Sequence, residues 1–596
     1  MKRLIRICSG FCRSPVDYRR PPSLDGNAII CYKLCVLNRN NYRRIKGSLK
    51  KSRVHKNSFI EGAITAYFVI ILSKILGALY SIPFYSIIGT NGGVIYSCSY
   101  NIYNIFLSIA TSGIPIAISI VISEYNSLKM YKTSQKVTSL ASKLVFAAAL
   151  ISFIFLQIFA PAITRYLLGD MTQGVPPDEI SAGIRAISYC LLIVPFLSIM
   201  RGFLQGNKFI TLSSNSQLVE QISRIAIILI GSYISIVVLK MPVVVGVCIA
   251  LLGAAFGAAV ALLYLKRRSR HLDEQLHPAP LESEVVPSNK EIIIKIFSYC
   301  ATLVLVSVAT SLYEMMDLKL LLTGLHNLHY TDNDAQVISS MHATWIPRIG
   351  MIITSVSMGI TTSIMPHMAE NSVTGNHKKI VTTVNQALGT IFLIAVPLSI
   401  GIIICSEPIF RLFYGYGYYG SPLVRLNAIT SVFFCVSTTL EMLSQGLDLG
   451  KRVCVCVIIG VVINAGMDIP FIYLLDYLGL KSYLGAGVST IFGQSITIFL
   501  LAIPLVKKFG LKPAVPAKLF VRVLISALIM GAFVILLRYL IPIADGRNVL
   551  FVLELSLYGI AGAAVYGFIT LKTGIIAEVI GQENQDKILT KLHLKK

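Results

Sequence analysis

The chain has 596 residues, 55% of them hydrophobic and only 14% charged, with a mean hydropathy of +0.72. A soluble chain carries about 25% charge, so this composition and the long apolar runs recurring between residues 59 and 571 exclude a soluble enzyme or binding module. The formal charge of +25 invites a nucleic-acid partner, but Lys and Arg sit in short loops and at the two ends rather than along one folded face, which argues for no nucleic acid.

In chain order, residues 1–57 come first. They carry fifteen Lys/Arg and no apolar run long enough to span a bilayer. They read as a basic, disordered cytoplasmic tail, or as the product of a start codon placed too early, with translation beginning near Val54. Cys8-x3-Cys12 and Cys31-x3-Cys35 have a spacing that zinc sites use, but nothing else in the segment resembles a folded metal module, and no metal is expected. The twelve cysteines are scattered and imply no disulfide framework.

Fourteen spanning helices follow, at roughly 59–85, 97–123, 140–164, 186–204, 216–238, 243–265, 292–322, 338–367, 381–406, 426–446, 453–475, 484–506, 519–541 and 549–571. The expected fold is an all-α polytopic membrane protein. With both termini in the cytoplasm, the inner side holds forty Lys/Arg and the outer side eight, which fixes the orientation by the positive-inside rule.

The two halves repeat. "GIPIAISIVISE" (113–124) and "GITTSIMPHMAE" (359–370) share a frame at an offset of 246 residues, as do "IFAPAITRYLLG" (158–169) and "ICSEPIFRLFYG" (404–415). "FLQG" (203–206) and "LSQG" (443–446) agree at an offset of 240. Six helices per half is an even number, so both halves insert the same way up. This predicts a pseudo-two-fold along the membrane normal with a site between the lobes. The expected division is an N-lobe at 58–265, a cytoplasmic linker at 266–291, a C-lobe at 292–506, two extra helices within 507–571 and a cytoplasmic tail at 572–596.

Two cations lie deep in these lobes. Lys74 is twelve residues past Gly62, about 18 Å into the membrane, where a charge costs at least ~2.5–3.5 kcal/mol. Tyr67, Lys74 and Ser81 are spaced by seven and share a helical face. On span 8, Thr344, Arg348, Ser355 and Thr362 form a similar polar stripe. One cation per lobe on a polar face suits binding of an anion in a hydrated cavity; the plainer alternative is pairing with a nearby acid or with backbone carbonyls.

Other motifs carry less. Glu314, Asp317 and Lys319 near the end of span 7 are candidates for a gating salt bridge or for a coupling sodium or proton site. Glu220 and Arg224, spaced i,i+4, read as a structural ion pair. "GYGYYG" (415–420) fits a dinucleotide fingerprint literally but has no preceding strand, and "HNLHYTDND" (326–334) is a weak metal motif in a short loop. There is no P-loop lysine motif, and no catalytic acid, base, nucleophile or cofactor is expected.

The ordered series "SKILGALYSIPFYSIIGTNGG", "YNIYNIFLSIATSGIPIAISIVISEYNSL", "IVPFLSIMRGFLQGNKF", "SQLVEQISRI" and "PRIGMIITSVSMGITTSIMPHMAE" resembles the MurJ/SpoVB-type (YtgP-like) flippases of the multidrug/oligosaccharidyl-lipid/polysaccharide exporter superfamily. The likeness runs from about residue 59 to 571. It implies a transporter of the bacterial cytoplasmic membrane, working by alternating access on a lipid-linked oligosaccharide, with lipid II favoured and membrane lipid as its other partner. It implies that Lys74 and Arg348 meet the pyrophosphate and that the last two helices form a groove for the polyprenyl tail; Tyr67, Ser81, Thr344 and Ser355, on the same polar stripes, are the further candidates for substrate binding. The chain departs from Gram-negative members in lacking further arginines in spans 1 and 2. The rival readings are a flippase for a teichoic-acid, capsule or spore-cortex precursor, a cation-coupled multidrug exporter of the same superfamily, and a polytopic glycosyltransferase; fourteen spans and deep cations count against the exporter, and small outer loops against the enzyme.

Overall fold

A computed structural model describes residues 68–581, apart from 70–71, 112, 170, 271–283, 285, 356, 358–367, 369–376, 416 and 545. Tyr67, Thr362 and the cysteines of the N-terminal tail lie outside the described residues. Among those described, every regular element is helical. The helices are α1 (Ser81–Thr111), α2 (Ile114–Ser127), α3 (Tyr131–Leu168), α4 (Pro177–Ser188), α5 (Val194–Gly206), α6 (Ile210–Ser232), α7 (Val243–Ser269), α8 (Asn289–Asn327) and α9 (Asp332–Ser340). After further helix at 346–355 come α10 (His377–Ile404), α11 (Ser406–Tyr414), α12 (Gly420–Gly446), α13 (Gly450–Tyr477), α14 (Gly485–Phe509), α15 (Ala514–Leu540), α16 (Val549–Lys572) and α17 (Ile575–Ile580).

Twelve stretches of the described residues are long and apolar enough to cross a membrane. They make the protein multi-pass, two short of the fourteen spans expected. The first expected span, 59–85, begins before the described residues and runs into the second as one stretch, Ser81–Ser127. The eighth, 338–367, passes into residues that are not described. The first two spans are distinct helices meeting at Gly89, whose φ of 66° and ψ of −170° interrupt α1. Only glycine takes that conformation without strain. The short helices α11 and α17 were expected as loop or tail, and α9 extends span 8 at its start.

The sequence repeat has a geometric counterpart. Lys208 and Asp448, two residues past the glycines of "FLQG" and "LSQG", both have positive φ, 67° and 59°. The turns share their bonds: Lys208 N–H donates to the Gln205 carbonyl (2.9 Å) and Phe209 N–H to Leu204 (2.8 Å), as Asp448 N–H does to Gln445 (3.1 Å) and Leu449 N–H to Ser444 (3.0 Å). Gly169 and Gly415, which close the second repeated pair, likewise both have positive φ and donate to Arg165 and Arg411 at 2.9 and 3.0 Å.

In the first half, α7 packs along α6, and α4 along α1 and α3; in the second, α8 and α14 flank α13, and α12 lies against α10 and α14. The extra helix α15 docks on α10 and α16, burying Val396, Leu519, Val523, Met530 and Tyr566 together. Helix α8 joins the halves, packing on α1 and α2. Its start is fixed by a capping box, Ser288 with Glu291, which satisfies two orphan N–H groups. At that end Lys295 Nζ donates to Glu124 Oε1 (2.6 Å); midway Ser108 and Ser311 share a hydrogen bond of 2.8 Å. At the opposite end, beyond Gly89, Asp332 Oδ2 accepts from the backbone N–H groups of Thr172 (2.8 Å) and Gln173 (2.9 Å).

Candidate functional site

Of the expected face of the first span, Lys74 and Ser81 lie among the described residues. Its ladder runs on through Tyr80, whose N–H donates to Leu76 (3.2 Å) and whose carbonyl accepts from Phe84 (3.1 Å). Lys74 and Ser81 are therefore two turns apart on one face, about 10 Å along the axis. Lys74 is half-buried and has no hydrogen-bond or ion-pair partner among the described residues.

Arg348 reaches that face from the other half. It is 8% exposed, and Nη1 donates to Ser81 Oγ at 3.0 Å. Its guanidinium carbon lies 5.3 Å from the ring centre of Tyr80, 5.5 Å from Tyr85 and 5.1 Å from Tyr96. A desolvated cation–π contact is worth up to about 2 kcal/mol, and burying an ion costs several. Three rings and a hydroxyl are of the right size to hold this cation without a carboxylate, and no acid pairs with it among the described residues. Thr344, one turn earlier, accepts from Ser97 Oγ (2.6 Å) and Asn101 Nδ2 (3.0 Å). Ser355 turns back to its own helix, donating to the Ile352 carbonyl (2.8 Å), and does not join the cluster.

The π-helical turn Met341–Trp345 aims Trp345 at the first half, where its Nε1 donates to the Gly93 carbonyl at 3.4 Å. The indole packs between Tyr85 (4.8 Å between ring centres) and Tyr414 (5.4 Å), and the Tyr414 hydroxyl donates to the Trp345 carbonyl. The two halves thus meet at the Gly89 end through aromatic rings around one buried cation. In the sequence these rings show only as the density of Tyr in "YSIPFY" and "IYSCSYNIY".

Two expectations need correction. Glu220 pairs with Arg201 Nη2 at 2.8 Å, across the α5–α6 turn, and not with Arg224. Arg224 instead faces Tyr100, with its guanidinium carbon 5.7 Å from the ring centre and Nη2 3.5 Å from the hydroxyl. Glu314, Asp317 and Lys319 do not form one cluster. Lys319 extends to the Tyr166 carbonyl and lies over that ring at 3.7 Å, whereas Asp317 is buried within the second half. Glu314 has no hydrogen-bond or ion-pair partner among the described residues.

Asp317 belongs to a polar group absent from the sequence reading. Its Oδ1 accepts from Asn464 Nδ2 (2.8 Å), its Oδ2 from Thr490 Oγ1 (3.4 Å), and His342 Nε2 lies 3.7 Å away. Asp468, one turn beyond Asn464, accepts from Ser489 Oγ. Among the described residues, Asn464 Oδ1 and Asp468 Oδ2 are buried with no hydrogen-bond partner. Unsatisfied hard oxygen donors beside two carboxylates suit a small cation or a proton. A lone acid inside the apolar run "INAGMDIPF" was the available signal. No group of three His, Cys, Asp or Glu side chains with metal-site geometry occurs among the described residues.

Known proteins share this architecture. Residues 59–326 match the family model described as polysaccharide biosynthesis protein, and residues 334–469 match the MatE model. The chain is 28% identical over 528 residues to the lipid II flippase MurJ of Bacillus subtilis (strain 168), covering 86% of this chain and 94% of that protein. Its fold is similar to a solved lipid II flippase MurJ in an inward closed conformation, with a TM-score of 0.60 and 16% identity over 87% of this chain and 99% of that one. It is also similar to an inward-facing multidrug resistance MATE family transporter, with a TM-score of 0.56 and 15% identity over 75% of this chain and 98% of that one. The halves and the contact between them thus sit on a fold similar to those of the solved MurJ and MATE transporters, and the chain is similar in sequence to the lipid II flippase MurJ over most of its length.

Proposed function

We propose that the protein is a flippase that moves a polyprenyl-pyrophosphate-linked cell-wall precursor, with lipid II favoured, from the inner to the outer leaflet by alternating access. It makes no bond and is a transporter, not an enzyme. The observation that carries this reading is Arg348: a cation deep in the membrane, without a carboxylate partner among the described residues, held where the two halves touch. A pyrophosphate carries about two negative charges across a hydrocarbon core ~30 Å thick, and fixed cations lower that barrier while the tail stays in lipid. Lys74, two turns along the same face from Ser81, is the second contact. In this reading both termini are cytoplasmic, the Gly89 end is outer, and Arg348 exchanges its tyrosine cage for the pyrophosphate as the outer end opens. The last two helices, packed on α10, would guide the tail.

The cluster of Asp317, Asn464, Asp468 and Thr490 supports a coupling sodium ion or proton, since unpartnered buried oxygens are stabilised by a bound cation. The function is tested by depleting the protein in its native host and identifying the lipid-linked precursor retained on the inner leaflet. Accumulation of lipid II is expected. Accumulation of a different precursor would reassign the headgroup, and normal distribution of every such precursor would reject the reading.

A further inference from the structure

Arg224 is an intramembrane cation that the transport reading does not use. Its backbone is fixed from behind by α7, where a methyl group added at Gly257 would lie 2.7 Å from the Glu220 carbonyl oxygen and 3.0 Å from Arg224 Cβ. The nearest acid in sequence, Glu220, is taken by Arg201. Among the described residues no carboxylate pairs with Arg224; its neighbour is the neutral phenol of Tyr100. An uncompensated cation in this setting is costly, and it persists where an anion visits it.

Tyr100 is not isolated. Its ring stacks on that of Tyr96, with centres 5.7 Å apart and an interplanar angle of 8°, and Tyr96 is one of the three rings around Arg348. The rings faced by Arg224 and Arg348 are thus one helical turn apart on α1, about 6 Å along its axis. The two guanidiniums come from different halves of the protein and converge on one tyrosine ladder. Each presents several donors in a planar fork suited to phosphate or carboxylate oxygens.

We infer that Arg224, backed by Tyr100, is a further oxyanion subsite for the lipid-linked substrate, supplied by the fifth span. The inference rests on the transport reading. Its ligand is an oxyanion of the headgroup, either the pyrophosphate itself or a carboxylate on the attached sugar or peptide.

The test is binding to the full chain in nanodiscs, read by emission of Trp345, the chain's single tryptophan. Three probes are titrated: polyprenyl pyrophosphate, lipid II with free peptide carboxylates, and lipid II with those carboxylates amidated. Arg224→Gln is expected to weaken binding about 10-fold or more. An equal loss for all three probes assigns the pyrophosphate as the ligand; a loss confined to the free-carboxylate probe assigns the carboxylate. Arg224→Lys, which keeps the charge, is expected to bind more tightly than the Gln variant, and it carries the comparison with wild type if the Gln variant does not fold. Unchanged binding of all three probes by the Gln and Lys variants, with Arg348→Gln still weakening them, overturns the inference and leaves the transport reading standing. Probes that bind neither wild type nor any variant overturn both.

Discussion

Adding one methyl group at Gly93 tests whether the aromatic contact between the halves sets the conformational balance. A Cβ built there lies 2.2 Å from Trp345 Cζ2, 2.8 Å from Cε2 and 2.9 Å from Tyr85 Cε1. Contacts under 3.0 Å require movement, and here the obstacle is a rigid indole boxed in by Tyr85 and Tyr414. The indole cannot swing aside without leaving that box, so the halves must separate at this end. Overpacking of this kind costs about 1–3 kcal/mol. If the contact exists only in the closed arrangement, Gly93→Ala shifts the equilibrium toward the opposite one by about 5–150-fold. The assay is Trp345 emission and its quenching by an aqueous quencher. Gly93→Ala is expected to shift emission to the red and raise quenching. Gly559→Ala, with nothing within 4 Å of the added methyl, serves as the unshifted control. Emission and quenching identical to wild type in Gly93→Ala would refute the reasoning.

Asp317→Asn and Asp468→Asn are each expected to abolish the dependence of transport on a sodium or proton gradient while protein remains in the membrane; gradient-driven flux retained in both variants would remove the cluster from the coupling path. The Asp332 carboxyl, opposed by burial, is nevertheless held below the usual range by the backbone N–H groups of Gln173 and Thr172 and by His326. Its contribution is therefore present above about pH 4, the unfolded value, and is lost as pH falls through the lower folded value. Hydrogen exchange at the Thr172 and Gln173 amides should lose protection over that acid window, and Asp332→Asn should show no such step. With both termini inside, a cysteine replacing Tyr418, 77% exposed, should be labelled from outside, whereas one replacing Ser269 should be labelled only after permeabilisation; labelling of position 269 in intact cells would reverse the orientation.

What could be read from the sequence was periodic or local. The apolar runs gave the helices because backbone groups in lipid must bond within their own segment. The "FLQG" and "LSQG" pair gave the repeat because both glycines precede the same left-handed turn. Arg348 and the Ser81 face were legible because an intramembrane charge on a polar stripe needs a reason. The partner of Glu220 was not legible: an i,i+4 spacing placed Arg224 within reach, but the α5–α6 turn brings Arg201 closer, and only tertiary packing decides between two arginines. Asp468 and Asn464 were missed because their meaning depends on Asp317, 147 residues from Asn464 in the chain. The break between the first two spans was legible only as a gap at 86–96; that it falls at Gly89, within one continuous apolar stretch, is a matter of backbone conformation.

The measurement that bears most directly on the central claim is translocation of labelled lipid II in proteoliposomes containing the full chain, with Lys74 and Arg348 varied singly. Wild type should move the label between leaflets, Lys74→Arg should retain part of the rate, and Lys74→Ala and Arg348→Ala should each fail while folded and inserted. Headgroup binding should be weaker by roughly 10–150-fold, the equivalent of one charge-assisted hydrogen bond. Wild-type translocation by a protein carrying both alanines would contradict the account.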